Sequence, residues 1–383
     1  MSEKAPKYPL LPYSQLVWDM MQAEPEIYNF DSIIKVKKTS VDAVKLKQAI
    51  LTALNNHPVF SMGIDSEGRQ SYQPQDDILN GQFHSISVEE QDCYLNIHIH
   101  FNRILGDNRS VQILAEDILR AYNGLELEKD YYLEYLEWLE GYKQSERYAK
   151  HRALLENEFS IDCPVHPTTD LPLSADVKAI EGTWLDDFTD MRESLQAVSE
   201  RYIVSLSALF SLAAAMAIMQ YNGTDKAALT WAYEGREKPI EQRVFGSLHR
   251  DIPIFVKADA DKEVLLKQIR TQMRQGIAHS SYPYTLLKPN TERWNYAVNV
   301  LLMPTDKELP SMMPFEAEVI IPQEERPAYS LLDIEIYDDE QLTLLYRYST
   351  THYKQESINH FACLLRKNIE WLSSVIRDNG ITE

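Results

Sequence analysis

Hydrophobic and polar residues alternate with two different periods along the first half of the chain. From Val41 to Asn55 the apolar residues recur about every 3.6 positions, which predicts a helix with Ser40 as its N-cap. From Tyr94 to Phe101 they recur at every second position, which predicts a strand. Similar patterns predict four further elements: helices Ser14 to Ala23, Arg109 to Asn123 and Tyr131 to Phe159, and a strand Ser32 to Lys38.

The second half repeats this mixture of helices and strands after a stretch without periodicity. Cys163 to Leu173 (CPVHPTTDLPL) is rich in Pro, which is typical of a linker. Beyond it the pattern predicts helices Met191 to Tyr202, Ile203 to Tyr221, Lys262 to Ile277 and Lys354 to Ile376, strands Ala228 to Tyr233, Ile252 to Val256, Tyr296 to Leu302 and Glu316 to Ile321, and a hairpin of Tyr329 to Ile336 with Gln341 to Tyr348. The sequence therefore predicts two α/β lobes, residues 1–163 and 164–383.

The segment Ile203 to Tyr221 (IVSLSALFSLAAAMAIMQY) has no charged residue and is long enough to span a bilayer. It is rich in Ala and Ser, however, and it runs directly into the polar turn that begins at Asn222. Helices that are apolar on all sides also occur at the centre of large domains. We therefore expect a buried helix and no membrane association.

The overall charge excludes one class of partner. The 383 residues include 58 Asp and Glu against 38 Lys and Arg, a formal net charge of −20. An acidic chain without a block of basic residues repels phosphodiesters, so no nucleic-acid partner is expected. The three cysteines, at positions 93, 163 and 363, are far apart, which argues against a disulfide framework or a zinc cluster. This cysteine content fits a reducing cytoplasm, which is therefore expected. The N-terminus lacks the apolar run of a signal peptide.

The sequence contains no glycine-rich phosphate loop, no nucleophile elbow and no paired-cysteine metal site, which excludes nucleotide hydrolysis and serine hydrolysis. His98 and His100 share one face of the predicted strand and could supply two ligands of a metal site. No third ligand is evident nearby. The interpretation as half-buried strand residues is therefore favoured, and no metal is expected.

A loop from Asn102 to Asn108 follows the strand and leads at once into the helix at Arg109. Loops in this position project side chains over a sheet edge, where clefts form. This loop is the candidate functional site, although the same pattern also fits a plain turn.

Several short segments, in this order and spacing, resemble the condensation domains of nonribosomal peptide synthetases. They are Tyr8 to Gln15, Asn56 to Phe60, Gly235-Arg236 with Pro239, Val244 to Gly246 leading to Pro253, His279 to Tyr284, Arg293 to Leu302 and Leu331 to Tyr348. The resemblance covers almost the whole chain. It implies two chloramphenicol-acetyltransferase-like lobes in a V-shaped pseudodimer, with strands of the second lobe crossing back towards the first.

The third motif of that family, His-His-x-x-x-Asp-Gly, is altered in this sequence. If Asp107 is the motif's Asp, then Asn102 and Arg103 replace the two histidines and Asn108 replaces the glycine, with Ser110 following. The family's second histidine lies beside the attacking amine, where it acts as a base or positions the amine. A guanidinium cannot accept a proton at any relevant pH, although it could stabilise an oxyanion.

The resemblance also bears on residues outside this motif. It implies a structural ion pair between Asp107 and Arg236 that orders the loop, and a structural rather than catalytic His279. Arg250-Asp251 replaces the family's Asn-Thr pair. A slipped alignment that makes His100 the surviving base is an alternative, but it breaks the spacing to Asp107.

Two functions are favoured at this point over a third, a stand-alone acyltransferase that uses a soluble amine or alcohol, against which the missing histidine also counts. The first is a condensation-type domain that binds acyl or peptidyl carrier proteins and adjoining synthetase domains, and forms an amide from an amine and a thioester with impaired catalysis. No intrinsic cofactor is expected, since the phosphopantetheine arm comes from the carriers. The alternative is a non-catalytic domain that recruits a tailoring enzyme in peptide natural-product biosynthesis. Residues 378–383 resemble the start of a linker to an adenylation domain.

Overall fold

A computed structural model describes residues 6–22, 29–73, 77–173, 180–282, 287, 294, 296–303, 317–320 and 330–374. The predicted motif residues Pro283 and Tyr284, and the C-terminal segment 378–383, lie outside this range. The described chain divides into two compact units. The first falls within residues 1–149, 234–249 and 306–324, and the second within 150–233, 250–305 and 325–383. The lobe boundary expected at residue 163 stays a prediction.

The described strands of the first unit form two antiparallel sheets. Its strands are β1 (Lys7–Pro9), β2 (Asn29–Lys37), β3 (Met62–Ile64), β4 (Arg69–Tyr72), β5 (Asn80–Gly81), β6 (His84–Gln91), β7 (Tyr94–Asn102) and, from later in the chain, β12 (Ala317–Ile320). The sheet orders are β1-β4-β3 and β12-β2-β7-β6-β5. Its helices are α1 (Pro12–Met21), α2 (Ala43–Asn56), α3 (Asn108–Tyr122) and α4 (Tyr132–Lys143).

The second unit contains a mixed sheet of six strands. Its strands are β8 (Glu181–Asp187), β9 (Lys226–Tyr233), β10 (Arg250–Lys257), β11 (Asn299–Leu302), β13 (Leu332–Asp338) and β14 (Leu342–Ser349), in the order β10-β9-β11-β13-β14-β8. Its helices are α5 (Glu146–Phe159), α6 (Arg192–Tyr202), α7 (Leu206–Asn222), α8 (Lys262–His279) and α9 (Gln355–Ser373). The first four residues of α5 precede residue 150, where the second unit begins.

The apolar helix α7 lies in the hydrophobic core of the second unit, as the sequence predicts. Ser205 caps it through a hydrogen bond from the Ala208 amide, and Gly223 ends it in a left-handed conformation. In the described part of the chain, no single helix is both long and apolar enough to cross a bilayer. Thr189–Tyr202 and Leu206–Asn222 meet the length and composition requirements only as a pair, which is bent by 100°.

Two predicted helix boundaries are wrong. The N-cap of α2 is Asp42, not Ser40, because the Asp42 carboxylate accepts hydrogen bonds from two amides of the first turn. The single helix predicted from Tyr131 to Phe159 is two helices. Ser145 lies between them, where its hydroxyl donates to the Tyr142 carbonyl and accepts from the Tyr148 amide. A local side-chain bond of this kind competes with helix continuation.

The predicted linker 163–173 has no helix or strand, yet it is attached to the sheet of the second unit. The Pro164 carbonyl accepts a hydrogen bond of 2.9 Å from the Ala228 amide, and the Val165 carbonyl accepts one of 2.9 Å from the Val298 amide. Cys163 and Val165 are buried. The segment is therefore a packed part of this unit rather than a loose connection.

Candidate active site

The candidate loop connects β7 with α3 inside the first unit. Strand β7 lies between β2 and β6, and its alternating pattern buries Leu95 and Ile97 in the core. The loop then turns tightly against the start of α3. A Cβ at Gly106 would lie 2.7 Å from the Ser110 Cβ and 3.1 Å from the Phe101 ring, so the close approach requires glycine.

Asn102 serves as a structural residue at the end of β7. Its side chain is buried, its Oδ1 accepts a hydrogen bond of 2.9 Å from the Ile104 amide, and its Nδ2 donates one of 2.7 Å to the Asn29 side chain. These bonds fix the first turn of the loop. Arg103, the next residue, is half-buried, and Asn108 is exposed at the first position of α3.

Asp107 caps α3 together with Ser110. The carboxylate accepts hydrogen bonds from the Ser110 amide (3.0 Å) and hydroxyl (2.9 Å), and the Ser110 hydroxyl accepts one from the Asp107 amide (3.2 Å). This reciprocal arrangement is a capping box, which satisfies amides that the first helical turn leaves without partners. Ser110 is fully buried.

Arg236 binds the same carboxylate with both ends of its guanidinium. Its two terminal nitrogens donate to the two Asp107 oxygens at 2.8 and 2.9 Å, and one of them also donates to the carbonyls of Val244 (3.2 Å) and Gly246 (3.1 Å). Gly235 has a φ of 76°, a left-handed conformation that favours glycine and turns the chain directly before Arg236. The structure thus brings together Asp107, Ser110 and Arg236 of the predicted set.

The contacts of Asp107 extend to the end of the segment 234–249. Its Oδ2 also accepts hydrogen bonds from the amides of Leu248 (2.9 Å) and His249 (3.2 Å). The side chain of Arg236 is 1% exposed and that of Asp107 is 11% exposed. Burial alone would raise the pKa of Asp107, but the charge and hydrogen bonds of Arg236, with those of Ser110, hold it below its usual value. The carboxylate is therefore ionised, and because its pKa is lowered and both of its oxygens accept hydrogen bonds from Arg236, it is a weaker base than an ordinary carboxylate.

A second buried charge network lies deeper in the same unit, and sequence reasoning missed most of it. His57 lies between two carboxylates: its Nδ1 is 2.8 Å from Asp130 Oδ2, and its Nε2 is 3.3 Å from Asp117 Oδ2. The second approach is a charge contact that is not aligned as a hydrogen bond. Arg243 donates to both Asp117 oxygens at 2.8 and 3.0 Å. Asn56 also donates to Asp117, at 2.9 Å.

The second network favours a protonated histidine. Burial opposes the charge on His57, but Asp117 and Asp130 outweigh it and raise the pKa of His57 above its usual value. Asp130 also accepts a hydrogen bond of 3.2 Å from the Phe245 amide. The segment 234–249 is therefore bound to three carboxylates. Arg236 and two main-chain amides bind Asp107, Arg243 binds Asp117, and a third main-chain amide binds Asp130.

The other histidines that the sequence singled out lie elsewhere. His100 is 2.8 Å from Asp31 on the neighbouring strand, and His98 lies 3.6 Å from Glu89. Among the described residues, no group of three or more His, Cys, Asp or Glu side chains is arranged so that it could hold a metal ion. His279 is in the second unit, at the end of α8, with its ring 4.9 Å from that of His151. Arg250 donates to the Ser280 hydroxyl at 2.8 Å.

The sequence model of the condensation domain family matches residues 67–377 of this chain. The chain belongs to the condensation domain family. The resemblance to the condensation domains of nonribosomal peptide synthetases is thereby confirmed.

Curated relatives of this condensation domain are synthetase chains of much greater length. Over 218 residues, 54% of the chain, it is 22% identical to one of the plipastatin synthase proteins of Bacillus subtilis, of which it covers 8%. Over 214 residues it is 24% identical to surfactin synthase subunit 1 of the same organism, of which it covers 6%. The chain therefore spans only a small part of the curated relatives that it matches.

Solved structures confirm the predicted α/β fold of the chloramphenicol-acetyltransferase-like type. The condensation enzyme VibH matches with a TM-score of 0.76 and 13% identity over 97% of each chain. The starter condensation domain of rhizomide synthetase RzmA matches with a TM-score of 0.75 and 15% identity over 97% of each chain. A mutant of the same RzmA domain was solved with C8-CoA and Leu-SNAC.

Proposed function

We propose that this condensation domain binds carrier proteins loaded with acyl or peptidyl groups and joins an amine to a thioester, at a reduced rate. The main support is the loop from Asn102 to Asn108, which keeps its structural residues but lacks the family's two histidines. Its scaffold, Asp107 with Ser110 and Arg236, is complete, but an amide at Asn102 and a guanidinium at Arg103 replace the two histidines. A positioned base is commonly worth about 10²- to 10⁴-fold in rate, so its loss should slow transfer without removing the binding surface.

The proposal requires no group bound to this chain. The phosphopantetheine arms would be supplied by the donor and acceptor carriers, and adjoining synthetase domains would present those carriers. The Asp107 carboxylate is fully engaged by Arg236, Ser110 and two amides, so it would keep the loop in shape rather than exchange protons.

The experiment uses the whole chain with two carriers. A donor carrier is loaded with a C8 acyl thioester and an acceptor carrier with a leucyl thioester, matching the groups bound to the RzmA relative. Binding of each loaded carrier is measured by calorimetry, and acyl transfer is measured by the intact mass of the acceptor carrier with the rate without protein subtracted. Binding with transfer above background supports the proposal. If none of several carriers, loaded with different acyl groups, binds to the chain, the proposal is contradicted.

A second function is favoured by one observation. Asn102 is buried and both ends of its amide are engaged by Ile104 and Asn29, so this position contributes structure instead of chemistry. The domain could then serve as a docking platform that recruits a tailoring enzyme to a carrier-bound peptide. Carrier binding without any transfer above background, followed by capture of an oxygenase acting on the same carrier, would favour this function over the first.

A further inference from the structure

The corner between α6 and α7 presents an apolar side chain, Ile203, beside the basic helix α8. We infer that Ile203 and the exposed face of α8 form a docking surface for an acidic amphipathic helix of a partner protein. This surface lies within the second unit, and its use as a docking surface does not depend on acyl transfer at the loop 102–108.

Ile203 ends α6 in a left-handed backbone conformation, with φ 53° and ψ 56°. Among the described residues, only Asp92 and Ile203 combine a positive φ with a side chain. A β-branched side chain is strained in this conformation. At the corresponding place after α7 the chain has Gly223, with a φ of 66°. Glycine therefore suits this kind of helix end, and an isoleucine at position 203 calls for a role beyond the turn.

The side chain of Ile203 is held in an exposed position. It is 75% exposed, although the backbone around it is well bonded. The Val204 amide donates to the Ser199 carbonyl at 3.1 Å, and the Ser199 hydroxyl donates to the Val204 carbonyl at 2.5 Å. The exposure is therefore a feature of an ordered corner and not of a frayed helix end.

Two hydrogen bonds join this corner to α8. Arg270 Nη1 donates to the Tyr202 carbonyl at 3.0 Å, and the Tyr202 hydroxyl donates to Glu263 Oε1 at 3.2 Å. Ile203 directly follows Tyr202, so it borders the face of α8 that carries Glu263 and Arg270. Val264, next to Glu263, is 40% exposed and adds a second apolar side chain to this region.

The same face of α8 is positively charged in an acidic protein. The helix contains four basic residues and one acidic residue, whereas the whole chain has 58 acidic against 38 basic residues. Lys267 and Arg274 follow Glu263 at helical spacing and therefore share its face with Arg270. Both are exposed, and neither forms an ion pair with a described residue. Cations beside exposed apolar side chains fit a partner with carboxylates around an apolar centre.

The geometry favours a helix of a second protein over a membrane or a second copy. The apolar face of α8 is buried in the core through Leu265, Leu266, Ile269 and Met273, so it cannot insert into a bilayer. Two copies that met through this surface would place one basic helix against the other, and like charges repel. The face from 263 to 274 extends for about 16 Å at 1.5 Å per residue, which gives three turns for a partner helix.

The test measures binding of the whole chain to a labelled synthetic peptide by fluorescence anisotropy. The peptide is a helix of about 18 residues, with leucines along one face and glutamates beside them. We expect Ile203→Gly to weaken binding by about 10-fold, the lower end of what burying an isoleucine contributes. Arg274→Glu should weaken it by about 3-fold or more. Val44→Ser, which removes an exposed apolar residue from α2, is the matched control and should bind normally.

Thermal unfolding separates lost binding from lost folding. Ile203→Gly should raise the unfolding midpoint by about 1–3 °C, because glycine adopts the left-handed conformation without strain. Weaker binding by a variant of this stability reports the surface itself. A lower midpoint would show that the isoleucine stabilises the fold, and it would overturn the inference.

Three binding results would also overturn the inference: no binding of the acidic peptide by the wild-type chain, equal binding by Ile203→Gly, or equal binding of a peptide with lysines in place of the glutamates. Binding of the wild-type chain to phosphatidylserine vesicles but not to the acidic peptide would assign the surface to a membrane instead. Acyl transfer should be the same in wild type and Ile203→Gly, so none of these results bears on the proposed function.

Discussion

Two arginines of the segment 234–249 bind carboxylates of the first unit, but their surroundings differ. Arg236 and Asp107 form a pair supported by a serine and main-chain groups, with no other titratable side chain of the described residues in the contact. Arg243 and Asp117 belong to a network that also includes His57 and Asp130. The pKa of Asp107 in the first network is lowered by Arg236, whereas the second network contains a histidine whose pKa is raised by its two carboxylate neighbours.

The comparison also separates structure from chemistry in the loop. In the proposed alignment, Asp107, Ser110 and Arg236, which hold the loop in place, match the family, and positions 102 and 103, where the family has its histidines, do not. Burial explains why the pair of Asp107 and Arg236 is costly to change. Removing one partner of this buried pair leaves an unpaired charge.

Arg236→Met should have the largest effect on stability. It leaves the Asp107 carboxylate buried without its cation, so we expect the free energy of unfolding to fall by about 3–5 kcal/mol. Urea denaturation of the whole chain measures this loss. The matched control is Arg109→Met, which removes a more exposed ion pair with Glu116 and should cost less than about 1 kcal/mol. Equal losses in both variants would contradict the distinction.

His57→Gln should have an intermediate and pH-dependent effect of about 1–3 kcal/mol, because the carboxylates keep other donors. The pKa of His57 is raised in the folded state, so its stabilisation is complete below the unfolded value of about 6.5. It is lost as the pH rises through the folded value. Urea denaturation at pH 5.5 and at pH 9 should therefore show a larger difference between wild type and variant at the lower pH. A difference that grows with pH would show that His57 is buried in its neutral form.

Ser110→Ala should have a smaller effect of about 1 kcal/mol, since it removes one half of the capping box. The loss can exceed that of an exposed cap because the hydroxyl also lies 3.1 Å from both the Gly246 amide and carbonyl. Thermal and urea unfolding measure it, with exposed Asn108→Ala as the control. If both substitutions are neutral, the capping box does not stabilise α3.

His100→Ala should have the smallest effect, with acyl transfer unchanged. The residue lies on the partly exposed face of β7 and pairs with Asp31, which is also exposed. The intact mass of the acceptor carrier gives the rate. A fall of about 10-fold, the least expected when a base is lost, would support the slipped alignment in which His100 replaces the missing histidine.

The sequence predicted the loop and its Asp107–Arg236 contact because family spacing links positions that are far apart in the chain. It did not predict the network around His57. Asp117 and Arg243 are 126 positions apart, and isolated charged residues on helical patterns usually indicate a solvated face. Short polar strands were also missed. In β6 (HSISVEEQ), alternation is interrupted by Glu89 and Glu90, which face outwards at the end of the strand.

The most direct test of the account compares acyl transfer by the wild-type chain and by Arg103→His under identical conditions. We attribute slow transfer to the missing base on an intact scaffold. We predict a wild-type rate above the rate without protein, and a rise in Arg103→His towards the roughly 10²- to 10⁴-fold that a positioned base supplies. A wild-type rate at background with no rescue by histidine, while the carriers still bind, would contradict it and favour the docking platform.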